Sequence, residues 1–289
     1  MLKNKSMLVP ALLVTFINIA ASTAMHVLAD VAKGSHGAPS FLTPAFVVFG
    51  AASSLLLIGA YLLLGPHMPV KNKLLRALLF ILLFWSSDYL SQILGALGGD
   101  SPVLQTSAFS FSTILFDSLG YLITGIFMGL LLDFKETAVC RKCESKKLLA
   151  ACLASMLLFP ALVFILEMAA GGMQSELYCY RAFGISEHSV LPFYIVFYAC
   201  LAFSGLLFPL FYRVTEYNSA HAKKWRRFAG VYGWMLWAPI VLIVIFFGIP
   251  ALPTIVFTLT MVFSIYVDCF VFDKLMAEKQ DAGVLRAHS

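Results

Sequence analysis

The chain has 289 residues, of which 61% are hydrophobic and 12% are charged, and its formal net charge is +5. Soluble domains carry about 25% charged residues, so this chain lacks the polar surface that a soluble globular protein needs. Basic segments that face anionic cytoplasmic lipid account for the positive charge, and no nucleic-acid partner is expected.

Eight long apolar segments follow one another along the chain. Each is close to the ~20 residues that a helix needs to cross the hydrocarbon core of a bilayer, and a helix satisfies its own backbone hydrogen bonds in lipid. In chain order the predicted spans are 7–31, 44–64, 74–97, 108–132, 148–170, 189–212, 227–247 and 251–272. We therefore predict an all-α, polytopic helical membrane protein with a single transmembrane domain over residues 1–289.

The first span has an alternative interpretation. Lys3 and Lys5, an apolar stretch and the small residues "ASTA" fit a signal peptide over residues 1–24, whose cleavage would leave seven spans. The apolar block continues through "MHVLADV", which favours a first span that is kept whole. Asn18 and His26 are polar residues inside that block.

The third and fourth spans each carry a polar stripe with an aspartate. The stripes are Ser87, Asp88, Ser91, Gln92 and Gly95 on the third span, and Ser110, Thr113, Asp117, Tyr121 and Thr124 on the fourth. At ~1.5 Å per residue, both aspartates lie about 21–23 Å from the cytoplasmic interface. We therefore expect Asp88 and Asp117 to form a carboxylate pair in the outer half of the bilayer.

Such a pair has two interpretations. Two neighbouring carboxylates without a cation do not both ionise readily, so the pair can bind a cation or exchange protons. Alternatively, each aspartate bonds to nearby Ser, Thr and Gln side chains and holds helices together. Candidates at a similar level are His26, Glu167 near the outer end of the fifth span, and Arg181 in the following outer loop, which can pair with a carboxylate or an anionic ligand.

Cys140 and Cys143 form the one spacing typical of a metal site, in "CRKC". A structural zinc site needs four ligands, and this loop supplies neither a second cysteine pair nor a histidine. These cysteines are therefore weak candidates, and we expect no metal and no cofactor.

The second half of the chain yields four further expectations. The segment "YNSAHAKKWRR" is predicted to be an interfacial helix on anionic lipid. The prolines of "GIPALP" are predicted to separate the last two spans, and Pro160 and Pro239 to kink or break the fifth and seventh. Asp268 and Asp273 lie close to the cytoplasmic end of the last span, where we expect solvation by water.

The basic residues indicate the orientation. Of the 20 Lys and Arg residues, 18 fall on one side of the predicted topology, and Lys33 and Arg181 fall on the other. Cytoplasmic loops are enriched in Lys and Arg, so both termini are predicted to be cytoplasmic in a plasma or inner membrane. The expected partners are the bilayer, anionic lipid at the basic loops, and further copies or other subunits.

No motif names a reaction or a substrate. The first hypothesis is transport of an ion or small polar solute, with Asp88 and Asp117 as the binding pair. The second is a membrane enzyme acting on a lipid at the outer leaflet, with a carboxylate or His26 as base and Arg181 on an anionic head group. The third is a sensor or assembly subunit whose polar stripes face another chain.

Overall fold

The computed structural model describes residues 7–32, 44–97, 111–134, 144–170, 190–219, 223–247 and 251–276. Within these ranges the chain forms eight α-helices and no strand, which confirms the all-α prediction. The helices are α1 (Leu8–Ala32), α2 (Pro44–Leu64), α3 (Lys73–Leu97), α4 (Phe111–Leu131), α5 (Ser145–Ala169), α6 (Val190–Val214), α7 (Lys224–Phe247) and α8 (Ala251–Met276). Short 3₁₀ turns follow α2 at Gly65–His67 and α6 at Glu216–Asn218.

Helices α5 and α7 are continuous through the prolines that they contain. Helix α7 ends at Phe247 and α8 begins at Ala251, and residues 248–250 of "GIPALP" lie outside the described part of the structure, so the predicted separation there stays a prediction. Helices α5 and α7 run through Pro160 and Pro239, so neither proline breaks its helix, and the predicted kinks stay a prediction. A proline removes one backbone N–H, and neighbouring helices can compensate for that loss in a membrane.

Five helices in the described part of the chain are long and apolar enough to cross a membrane. The apolar stretches are Leu8–Ala29, Gly50–His67, Ser145–Ala169, Tyr198–Asn218 and Ile255–Met276. The outer surface of α1 is apolar, with 51% of Leu12 and 68% of Phe16 exposed. Exposed apolar side chains at helical spacing are typical of a surface that contacts lipid, since water would not solvate them.

The eight helices pack in a closed cycle. Each helix has two principal neighbours, and the order around the cycle is α1, α4, α3, α6, α5, α8, α7, α2 and back to α1. Helices α3 and α4, α5 and α6, α7 and α8, and α1 and α2 are consecutive pairs in the sequence. The pairs α1–α4, α3–α6, α5–α8 and α2–α7 join these hairpins into a ring.

Aromatic side chains fill one half of this ring, where α2, α4 and α6 end and α3, α5 and α7 begin. A continuous series of ring contacts, with centroids 4.8–5.6 Å apart, runs through Phe159, Phe208, Tyr232, Phe211, Phe80 and Tyr61. These six residues come from α2, α3, α5, α6 and α7, and all are buried. The aromatic layer therefore closes this half of the ring.

Candidate functional site

A histidine and an aspartate meet at the interface between α1 and α4. Nδ1 of His26 lies 3.2 Å from Oδ1 of Asp117, and 8% of the Asp117 side chain is exposed. The same nitrogen lies 2.9 Å from the carbonyl oxygen of Ser22, one turn earlier on α1. The carbonyl of Ser22 can therefore accept a hydrogen bond from a proton carried on Nδ1, and the contact with Asp117 becomes an ion pair when the ring is doubly protonated.

A chain of polar side chains continues from this contact toward the aromatic layer. Asn18, two turns before His26 on α1, donates from Nδ2 to Oγ of Ser54 on α2 at 2.6 Å. Its Oδ1 accepts from Oγ1 of Thr124 on α4 at 2.5 Å. Asn18, Ser22 and His26 are spaced by four residues, so they lie on one face of α1. This face joins α1 to both of its neighbours in the ring.

The predicted stripe on α4 is partly divided between two neighbours. Asp117 and Thr124 contact α1, whereas Ser118, which was not assigned to the stripe, accepts a hydrogen bond from Nε1 of Trp85 on α3 at 2.8 Å. The ring of Tyr121 packs 5.7 Å from that of Phe84, also on α3. One face of α4 therefore holds the polar site, and the adjacent face packs on α3.

Several predicted site residues lie outside the described part of the structure. Asp88, Ser91 and Gln92 belong to α3 and Thr113 to α4, but their side chains are not among those described. Arg181, Cys140 and Cys143 lie outside the described ranges altogether. The pairing of Asp88 with Asp117 therefore stays a prediction, while the contact of His26 with Asp117 brings together two of the candidates.

Glu167 is completely buried on α5. The principal neighbours of α5 are α6 and α8, whereas those of α4, which carries Asp117, are α1 and α3. Glu167 therefore lies in a different part of the ring from the contact between His26 and Asp117.

Asp268 is a buried acidic residue that the sequence analysis placed in water, and that expectation is wrong. It is 0% exposed on α8 and accepts a hydrogen bond from Oγ of Ser155 on α5. A position near a helix end fixes depth but not the direction in which a side chain points. The available signal was the spacing of Thr260, Ser264 and Asp268 at i, i+4 and i+8 on α8, which places all three on one face.

Asp273, which follows Asp268 by five residues on α8, also contacts protein groups. Its Oδ1 accepts a hydrogen bond from the hydroxyl of Tyr212 and lies 4.0 Å from Nζ of Lys224. The side chain is 18% exposed. Protein groups therefore contact this carboxylate, in addition to the water that its exposed part can meet.

A second group missed by the sequence analysis is the Glu216 cluster, formed by Glu216, Arg227 and His67. Nη1 of Arg227 lies 3.5 Å from Oε1 of Glu216 and 2.9 Å from Nε2 of His67, while its Nη2 donates to the carbonyl of Leu63. Glu216 is 0% exposed. The cluster ties the end of α2 to the end of α6 and the start of α7.

The basic segment at the start of α7 divides into inward and outward cations. Lys224 is buried, and its Nζ lies 4.0 Å from the centre of the Tyr217 ring. Arg227 belongs to the Glu216 cluster, whereas Lys223 and Arg226 are exposed. Packing within the chain accounts for two of these four cations, and the other two are exposed.

Comparison with protein-family models, curated proteins and solved structures found no match to this chain. Within the described residues no group of three or more His, Cys, Asp or Glu side chains is arranged to hold a metal ion.

Replacing Asn18 by Leu is expected to lower the free energy of unfolding by about 1–2 kcal/mol, because two hydrogen bonds between helices are lost. Thr15→Val is the matched control, since Oγ1 of Thr15 bonds to Ala11 of its own helix, and it should change stability by less than about 0.5 kcal/mol. Unfolding of the purified protein by titration with a denaturing detergent measures both. Equal stability of the two variants would contradict a structural role for the Asn18 network.

Proposed function

We propose that this chain is an eight-span membrane protein that transports an ion or small polar solute, and that His26 and Asp117 form its proton- or cation-binding site. The observation that carries the proposal is the contact of 3.2 Å between these two side chains on helices whose sequences are predominantly apolar. Ionisable groups at such depth are expensive to keep in a membrane and commonly mark ion or proton pathways.

The chemistry of the pair suits exchange of a cation. Histidine changes its charge near neutral pH, and a carboxylate beside it is neutralised either by the imidazolium or by another cation. A proton moving from the ring to the carboxylate converts an ion pair into two neutral groups, so the buried net charge stays constant. Asp88 on α3, the helix next to α4, is the second carboxylate of this proposed site.

The proposal includes the topology. Five apolar helices support a membrane protein, and the remaining helices, α3, α4 and α7, pack in the same ring. The distribution of Lys and Arg supports eight spans with both termini in the cytoplasm. Exposed Lys223 and Arg226 at the start of α7 would then face anionic lipid head groups.

The test is proton movement in liposomes that contain the purified full-length protein and an internal pH-sensitive dye. Gradients of Na⁺, K⁺ and a panel of small polar solutes are applied in turn. With the wild-type protein, at least one gradient should move protons faster than in protein-free liposomes. Asp117→Asn should reduce that rate to the protein-free level, because the substituted amide cannot exchange a proton or neutralise a cation.

Asp133→Asn is the matched control, since it makes the same chemical change at an exposed aspartate just after α4. It should move protons at the wild-type rate. The proposal fails if no gradient moves protons through the wild-type protein, or if Asp117→Asn is as active as Asp133→Asn.

A further inference from the structure

Helix α8 carries a second buried polar stripe, away from the contact between His26 and Asp117. Thr260, Ser264 and Asp268 follow one another at intervals of four residues, and their exposed fractions are 7%, 0% and 0%. A spacing of four residues places them on one face of the helix. Asp268 contacts α5, so this face of α8 lies at the interface with α5.

The oxygen atoms around Asp268 are incompletely satisfied by protein groups. Oγ of Ser155, itself 1% exposed, donates to Oδ2 of Asp268. Among the residues that the structure describes, Oδ1 of Asp268 and Oγ of Ser264 have no hydrogen-bond partner, and both atoms are buried. Buried polar atoms normally have a partner, so two such atoms one helical turn apart indicate that a ligand completes the site.

The backbone of α5 adds a further oxygen near this level. Pro160 has no N–H, so the carbonyl of Met156, next to Ser155, lacks its usual partner within the helix. Helix α6 packs closely on the same turn, because a Cβ atom at Gly205 would lie 2.5 Å from the carbonyl oxygen of Ser155. Carbonyls released at irregular points of membrane helices are typical ligands of coupling cations in transporters.

The charge of the site selects the ligand. Asp268 supplies one negative charge, and the other groups named here are neutral oxygens. A monovalent cation cancels that charge, whereas a divalent ion would leave a buried positive charge that this site does not balance. The hydroxyl of Ser155 can donate its hydrogen to Asp268 and still offer a lone pair to a cation.

We infer that Asp268, Ser264 and Ser155 form a binding site for a monovalent alkali cation between α5 and α8. This inference goes beyond the proposed function and does not rest on it, because the two sites share no residue. A cation bound here ties α5 to α8 and so stabilises the folded state in proportion to its occupancy.

The test is the thermal unfolding midpoint of the purified full-length protein in detergent at fixed pH and ionic strength. NaCl, KCl and choline chloride are exchanged for one another, so that charge screening stays constant. The midpoint is expected to rise with NaCl or KCl and to saturate, but not with choline chloride. An equal midpoint in all three salts at every concentration would overturn the inference.

Variants assign the effect to this site. Asp268→Asn is expected to abolish the cation dependence, and Ser264→Ala to raise the concentration of half-saturation by about tenfold. Thr258→Val is the matched control, because it removes a buried hydroxyl on α8 that lies ten residues, or about 15 Å, from Asp268. If Asp268→Asn does not fold, Ser264→Ala decides. The inference is overturned if Ser264→Ala and Thr258→Val reach half-saturation at the same cation concentration. It is also overturned if the midpoint of Asp268→Asn still depends on the cation.

Discussion

Replacing Arg227 by Met is expected to lower the free energy of unfolding by about 3–5 kcal/mol, the range measured when one partner of a buried ion pair is removed. Glu216 is completely buried and lies 3.5 Å from the Arg227 guanidinium. Without that guanidinium, the carboxylate loses the cation that offsets its desolvation. The substitution also breaks the contacts of Arg227 with His67 and the carbonyl of Leu63, so the interface between α2 and α7 loses these polar contacts.

Detergent or urea titration of the purified protein measures this effect. Arg226→Met is the control, because it removes the same charge from an exposed neighbour and should cost less than about 0.5 kcal/mol. The double variant Glu216→Gln with Arg227→Met should be more stable than Arg227→Met alone, since it removes the uncompensated charge. If Arg227→Met and Arg226→Met unfold alike, the Glu216 cluster does not stabilise the fold.

Gly205→Ala is expected to destabilise the protein by about 1–3 kcal/mol, which is the cost of adding an atom to a packed interface. The added Cβ would lie 2.5 Å from the carbonyl oxygen of Ser155, and backbone atoms cannot move aside as a flexible side chain can. Gly129→Ala should behave similarly at the α3–α4 interface, where its Cβ would lie 2.6 Å from the Cα of Leu74. Small residues allow membrane helices to approach this closely.

The control is Gly59→Ala in α2, where a Cβ atom has nothing within 4 Å. Because Ala favours the helix more than Gly, this variant should gain up to about 1 kcal/mol. The same change from Gly to Ala is therefore expected to lower the free energy of unfolding at Gly205 and to raise it at Gly59. The same unfolding titration measures both. A gain of stability in Gly205→Ala would show that α5 and α6 are not held at the described distance.

The positions of the helices could be predicted from the sequence because length and apolarity decide them. Each predicted span coincides with a helix, and the ends differ by a few residues. The order of packing could not be predicted. Between helices in lipid, one apolar face resembles another, so close packing and hydrogen bonds select the neighbours instead.

The candidate site shows the same division. The stripe on α4 identified Asp117 as an inward-facing residue, and His26 was named separately, but no local pattern joins them, since the two residues are 91 positions apart. Their contact follows from the α1–α4 pair, which is not a sequence hairpin. The burial of Asp268 was not predicted for a different reason. Its position near the end of α8 indicates its depth, but the helix face on which it lies determines whether it is buried.

The closed order of the ring also constrains how the protein is made. Helix α2 needs α7 as its second neighbour, but Leu64 ends α2 about 160 residues before Lys224 begins α7. At a synthesis rate of ~5–20 residues per second, that interval is roughly 8–30 s. Once α6 has been made, the helices α1–α6 form an open arc whose two ends, α2 and α5, each still lack one principal neighbour. The α7–α8 hairpin closes the arc, so α2 and α5 acquire their second neighbours only after α7 and α8 have been made.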